Sequence, residues 1–318
     1  MPPLRTTAGV ANTLEEKEKA LRERFFPEPE ADLSDITNTS FEDTPGQLNS
    51  DCQATEKEIQ LAISSQKSKG APGPDGLSPR FLKAMGRPLV KALASLTTAC
   101  WRAGYYPKRF RIATTLCLKK PGKGDYSLAG SWRPIALLST VGKVIEKATA
   151  HRIRDLAEDH GLLPRQQMGG RRFRSTYSAL ELLTEQVHTV WNSGKYVASL
   201  LSLDISGAFD TVVPLRLLDV LYKKGIPGWI VRWVRSFLSE RQTTISISGH
   251  QSALYRVPGG APQGSPLSPI LFLFYNAELI SLCSGPRTTT IGFVDDTNIL
   301  AYGKSTAATC KALKKAYS

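Results

Sequence analysis

Apolar positions recur along this chain with a helical rhythm in some stretches and a two-residue rhythm in others, and the switches mark its elements. LEEKEKALRERFF, residues 14 to 26, is the one helical pattern before residue 50. The rest of 1–54 is rich in Pro, Glu, Asp, Ser and Thr and reads as an acidic, partly disordered N-terminal linker. Thr55 and Glu58 form a capping box that starts a helix reaching about Gln66. KGAPGPDG, residues 69 to 76, is a turn-dense loop. Ser78 and Pro79 open a helix that ends near Gly104, with a break or kink at Pro88. ATTLCLKK (113–120) and SWRPIALL read as extended runs. Helical spacing returns from Val141 to Ala157 and from Leu180 to Trp191, closed by Gly161 and Gly194.

YVASLLSLD, residues 196 to 204, is a nearly continuous apolar strand, the pattern of a strand buried on both faces. A helix is expected to follow it to about Lys224, with Asp210 on that helix, and another over IPGWIVRWVRSFLSE. TTISIS and SALYRV alternate around Gly249–His250 as a hairpin. Pro266 starts a long apolar helix, and TTTIGFV and TNILAYG are strands flanking Asp295–Asp296. This order lacks regular β-α-β alternation, so the expected class is α+β.

Charge sharpens the picture. Residues 1–60 carry a net −7 and the remainder a net +20, for +13 in all. A basic body suits a polyanion, and it equally suits a solvated surface. The five cysteines are scattered without metal or disulfide spacing, which points to a reducing compartment. No apolar leader is visible, and the longest apolar run is too short to span a bilayer, so the reading is a soluble protein.

The candidate chemistry lies in the carboxylates. Adjacent side chains in a strand point to opposite faces, but at a hairpin tip Asp295 and Asp296 can face one point. A solvated turn would use the same pair. Asp204 at the end of its strand offers a third carboxylate. Three hard oxygen donors that converge repel one another unless divalent cations neutralise them. With no His or Cys nearby, two Mg²⁺ ions, or Mn²⁺, are favoured over zinc, and such a pair suits in-line phosphoryl displacement. PGGAPQGSPLSPILF, residues 258 to 272, ends a Gly/Pro loop at a helix N-terminus, where backbone N–H groups favour phosphates.

In chain order, APGPDG, LCLKKPGKGDYSLAGSWRPIALLSTVGKVIE, GLLPRQQMGGRRFRSTYSAL, LDISGAFD, GGAPQGSPLSPILF and FVDD resemble the motifs of reverse transcriptases from non-LTR (LINE-like) retrotransposons, over roughly residues 55–318. QMGGRRFRST and Ala261 depart from the usual pattern away from the chemistry. The resemblance implies a right-handed polymerase with fingers over 55–195 and a palm over 196–318, its antiparallel sheet packed on helices. The thumb is expected to be missing, as in a truncated or decayed element.

By resemblance, Asp204, Asp295 and Asp296 are catalytic metal ligands, joined by the Ile205 carbonyl. Phe209 takes the place of an aromatic gate against a ribose 2′-OH, and a core aromatic is the competing reading. Gln263 and Gly264 line the nucleotide pocket. Arg133 and Lys120 hold the triphosphate, with Lys119 and Lys123 competing with Lys120. Arg171, Arg172 and Arg174 contact template backbone or form a solvated charge run. Asp210 and Asp75 are expected to be structural.

The implied partners are an RNA template, a DNA primer and dNTP, with no membrane, and the implied location is the nucleus with cytoplasmic passage. The expected activity is RNA-directed DNA synthesis by nucleotidyl transfer to a primer 3′-OH. The alternatives are a catalytically silent remnant that at most binds RNA, and an intron-encoded maturase or RNA-templated RNA polymerase. Phe209 argues against an RNA product.

Overall fold

The computed structural model of the chain describes residues 1–7, 9–29, 31–42 and 47–317. Chain order runs β1 (Leu4–Thr6), β2 (Gly9–Ala11), α1 (Leu14–Phe25), α2 (Glu56–Ser64), α3 (Pro79–Ala84), α4 (Gly86–Arg102), β3 (Ile112–Lys119), β4 (Trp132–Leu138), α5 (Thr140–Asp159) and α6 (Thr176–Asn192). It continues with β5 (Val197–Asp204), α7 (Pro214–Lys223), α8 (Gly228–Leu238), β6 (Gln242–Ile247), β7 (His250–Gln251), β8 (Tyr255–Arg256), α9 (Ser268–Tyr275), α10 (Ala277–Leu282), β9 (Thr288–Phe293), β10 (Asp296–Gly303) and α11 (Thr306–Tyr317). Helices and mostly antiparallel sheets are mixed without β-α-β alternation, which is the α+β class. Among the described residues, no helix is long and apolar enough to cross a membrane.

Two compact units divide the chain: Met1–Arg152 with Phe209–Ser268, and Ile153–Ala208 with Pro269–Ser318. These bounds differ from the contiguous stretches 55–195 and 196–318. The chain leaves the first unit within α5, returns to it at Phe209 and leaves it again at Ser268.

In the first unit, β4, β3, β6 and β7 lie side by side, and β8 also pairs with β6. Only β3 and β6 run parallel in this sheet. The β6–β7 turn uses Ser248 and Gly249, both at positive φ, as a two-residue hairpin requires. The returning strand is interrupted after Gln251. There the Ser252 hydroxyl accepts the Ile245 N–H at 2.8 Å in place of a ladder carbonyl. An aromatic cluster fills the core of this unit: Tyr106 meets Trp233 and Phe237 at 5.2 and 5.4 Å between centroids, and Trp233 stacks on Phe237. The expected helix from Pro79 to Gly104 is split one residue before Gly86, which has φ 63, and not at Pro88. Pro88 falls in the first turn of α4, where a missing N–H removes no helical bond.

The segment expected to be a linker is largely built into this unit. Thr13 caps α1 in a capping box. Leu4, Ala11, Ala20, Leu21 and Phe25 bury against Trp132, Ile245 and Ile247. Further along, Arg216 on α7 holds Asp35 with two hydrogen bonds of 2.6 Å. The acidic lead thus packs on the basic body and neutralises part of it. Outside α1 its apolar positions are too few per element to show a period, so composition dominated the reading. Residues 8, 30 and 43–46 of that stretch lie outside the described residues.

The second unit is built on the three-stranded antiparallel sheet β5-β10-β9, with α11 against β10 and β5. The Ser199 and Thr309 hydroxyls bond at 2.7 Å and tie α11 to β5. β5 corrects the expectation of burial on both faces. It is an edge strand that exposes Val197, Leu200, Ser202 and Asp204. An apolar run alone does not distinguish a central strand from an edge. The long apolar helix after Pro266 is divided at Asn276 into α9 and α10.

If residues 1–26 are part of the fold, Leu21→Ala should lower stability by about 2–5 kcal/mol. Urea unfolding of the chain measures this, and a loss below about 0.5 kcal/mol would show that α1 is not docked.

Candidate active site

The two-residue period of antiparallel strands fixes the carboxylates of the second unit. Asp204, the last residue of β5, lies directly opposite Asp296, the first residue of β10. Asp296 also faces Phe293 across the β9–β10 hairpin, so Val294 and Asp295 form its tip. One rung therefore carries Asp204 and Asp296, with Asp295 adjoining it. Burial raises the Asp295 carboxyl above the usual carboxylate range; its own backbone N–H opposes this, and the charges of Asp296 and Asp204 push the same way. A cation would relieve that repulsion.

All three groups are hard oxygen donors, which fit Mg²⁺ or Mn²⁺ in kind. Among the described residues, no group of three or more Asp, Glu, His or Cys side chains is placed to hold a metal ion as the side chains stand. Asp204 and Asp296 are solvent-exposed, so their carboxylates can turn toward an ion. The Ile205 carbonyl follows Asp204 directly in the chain.

The hairpin tip is strained and braced. Val294 has φ 60, a left-handed conformation that a β-branched residue rarely adopts. The Asn276 side-chain amide donates to the Val294 carbonyl at 3.4 Å. Residues 166–168 run beside β9: Met168 N–H donates to Gly292 O at 2.7 Å, and Gly292 N–H to Gln166 O at 3.1 Å. A Cβ on Gly169 would lie 2.6 Å from the Val294 nitrogen, so only glycine lets this segment press on the tip.

The expected nucleotide-pocket residues, Lys120, Arg133, Phe209, Gln263 and Gly264, all belong to the first unit. The 257–267 loop docks on β4, where Ala136 N–H donates to Gln263 O at 2.7 Å. Gly264 has φ 126, and a side chain there would collide with the Ala136 carbonyl. Ala261 N–H donates to Phe209 O at 2.7 Å, and Gly260 N–H to Val212 O at 3.0 Å. These bonds hold 209–212 in turns, so Asp210 precedes the helix on which it was expected. On β4, Trp132 and Pro134 are buried and Arg133 is exposed. Lys119 lies over the Tyr126 and Trp132 rings, which occupies it, whereas Lys120 is near enough to Asp210 to act on its charge.

Two carboxylates here go beyond the expected site. The Gln263 side-chain nitrogen donates to both oxygens of Asp210, at 3.0 and 3.2 Å. Burial pushes the Asp210 carboxyl up to about 7, against the Gln263 bond and the charges of Arg24 and Lys120. Glu146 is fully buried on α5 and accepts 2.5 Å bonds from the Ser265 and Tyr106 hydroxyls. It fixes the far end of the loop, and burial raises its carboxyl too. The available signal for Glu146 was an acid inside the apolar run VGKVIEKATA.

The arginines of the 164–174 loop find partners within the second unit. Arg171 is buried, pairs with both Glu158 oxygens at 2.8 and 2.5 Å and donates to Pro164 O at 2.8 Å. Arg174 donates to the carbonyls of Arg165 and Gln167. Arg172 pairs with Asp155 at 2.8 Å and stays half exposed. Arg171 and Arg174, engaged in this way, brace the loop.

Two measurements follow from these placements. Arg171→Ala should destabilise the chain by about 3–5 kcal/mol, because it strands Glu158, and should leave the salt slope of RNA binding unchanged. A reduced slope would restore the template role. Folded Asp210 keeps its proton to about pH 7, whereas the ordinary value is 3.8. Folding therefore binds the extra proton, and Asp210 costs stability increasingly as pH rises through that window. Asp210→Asn should gain on the wild type from about pH 4 to 7 in urea unfolding; a pH-independent difference would contradict the burial of this charge.

Comparisons with known proteins identify the family. Residues 118–317 match the family described as reverse transcriptase (RNA-dependent DNA polymerase). The chain is 32% identical over 81% of its length to a protein named probable RNA-directed DNA polymerase from transposon X-element, of Drosophila melanogaster. It is 29% identical over 97% of its length to the RNA-directed DNA polymerase from mobile element jockey of the same species. It is 30% identical over 74% of its length to a retrovirus-related Pol polyprotein from the type-1 retrotransposable element R2 of Popillia japonica. The matched stretches cover 28, 32 and 31% of these relatives' own lengths. The family match takes in β4, the Asp204 strand, the Gln263 loop and the Asp295–Asp296 hairpin, and this chain belongs to the reverse transcriptase (RNA-dependent DNA polymerase) family.

Proposed function

We propose that this chain is the fingers and palm portion of a non-LTR retrotransposon polymerase that copies an RNA template from a DNA primer 3′-end. The observation that carries this reading is the rung that sets Asp204 opposite Asp296 beside Asp295. In this assignment Asp204, Asp295, Asp296 and the Ile205 carbonyl hold two Mg²⁺ ions. When bound, the ions lower the pKa of the attacking 3′-hydroxyl and neutralise the pyrophosphate leaving group.

The chain's own residues do the rest. Arg133 offers an exposed guanidinium to triphosphate oxygens, a planar fork that suits them, and Lys120 adds a point charge. Gln263 and Gly264 contact the nucleotide from a loop pinned to β4. Phe209 excludes a ribose 2′-OH, which selects deoxynucleotides. Arg172 retains enough exposure to add a weak template contact.

Primer extension on poly(rA)–oligo(dT) with Mg²⁺ tests the reading. Asp295→Ala should abolish extension while primer–template binding persists, and chelation of Mg²⁺ should do the same. RNA binding without extension by the wild type, in this chain and in a longer one, would identify a silent remnant. Phe209→Ala should raise ribonucleotide use by about 10–200-fold, the range of a lost steric contact. An unchanged preference would return Phe209 to the core.

A further inference from the structure

Asp210 is a carboxylate with an unusual environment. It is largely buried, yet among the described residues no cation lies within ion-pair distance of it. Its hydrogen-bonding partner is the Gln263 amide nitrogen, which donates to both of its oxygens. A buried acid held by one neutral amide is an expensive way to stabilise a fold. An apolar side chain of similar volume would serve packing better. The neighbouring bonds show what the acid is placed to do. Phe209 O accepts from Ala261 N–H, and Gly260 turns at φ 78 so closely under Asp210 that a Cβ would lie 2.7 Å from its carbonyl. Phe209, Asp210 and Gln263 are thus tied into one network.

In the structure both Asp210 oxygens face the amide nitrogen, the pairing that an ionised carboxylate, which only accepts, requires. The Gln263 Oε1 is then turned away from Asp210 and remains an acceptor for a ligand. We infer that Asp210 is a positioning residue for nucleotide recognition, which locks the Gln263 amide so that it presents a hydrogen-bond acceptor to a donor group on the incoming deoxynucleoside triphosphate. This rests on the reading of Gln263 as a nucleotide contact. Loss of the lock leaves the amide free to flip or to turn aside, and nucleotide binding weakens while the metal ligands are untouched.

A double-mutant cycle tests it. KM and kcat for dTTP are measured on poly(rA)–oligo(dT), with equilibrium dialysis of dTTP against the same complexes, for wild type, Asp210→Ala, Gln263→Ala and the pair. Asp210→Ala should raise the KM and the dissociation constant for dTTP about tenfold, the worth of a hydrogen bond to a charged group. The loss should fall on KM more than on kcat, and the double variant should be no worse than Gln263→Ala alone. Asp210→Asn keeps the shape and can make one bond to either orientation of the Gln263 amide, accepting from its nitrogen or donating to its oxygen, so it should fall between wild type and Asp210→Ala, and it decides the matter if alanine does not fold. Additive effects, or a lowered unfolding midpoint with dTTP affinity intact, would overturn the proposal. If the wild type binds primer–template but no dTTP at all, the nucleotide assignment of Gln263 fails, and the role of Asp210 fails with it.

Discussion

Eight residue pairs fix β5 against β10, from Val197 opposite Gly303 to Asp204 opposite Asp296. Because side chains alternate along a strand, a slip of one residue would turn every one of them to the other face. Asp204 would then leave the rung it shares with Asp296. Burial of Thr297, Ile299 and Ala301, together with the Ser199–Thr309 bond from α11, holds the register. The acidic cluster is thus secured by apolar packing and helix docking away from the charges themselves. This matters because the carboxylates repel, and left to themselves they would favour separation.

The nucleotide-side loop solves a different problem. A Gly- and Pro-rich segment is mobile unless its backbone groups find partners. Here they find them along its length: at β4 through Gln263, at the Phe209 and Val212 carbonyls, and at Glu146 through Ser265. Two of these anchors use glycine for close approach, and two use buried acids whose ionisation the interior penalises. Rigidity in this loop is therefore obtained from groups that burial makes costly, as is common where geometry matters more than stability.

Much of this architecture was legible in the residues. A paired Asp at a hairpin tip and an Asp at a strand end are local features, readable from period and turn chemistry. The loop at 258–272 was legible from its glycines and prolines. What the residues hid was partnership over distance. Gln263 lies 53 positions from Asp210, and Ser265 lies 119 from Glu146. No local pattern announces such pairs. The same blindness made Arg171 look like a template contact, since a run of cations does not reveal the Glu158 beneath it. It also made β5 look doubly buried, since an apolar run is silent about which strands flank it.

The docking of α1 has a consequence for biosynthesis. Leu21 and Phe25 leave the ribosome before Ile245 and Ile247, against which they bury and which are made more than 200 residues later. Until then Leu4, Ala11 and later Trp132 cover only part of its apolar side. A contact spanning that much chain also closes late because of its loop entropy. Glu15, Glu16, Lys19 and Glu23 stay exposed on this helix, so its charged side meets water both before and after docking.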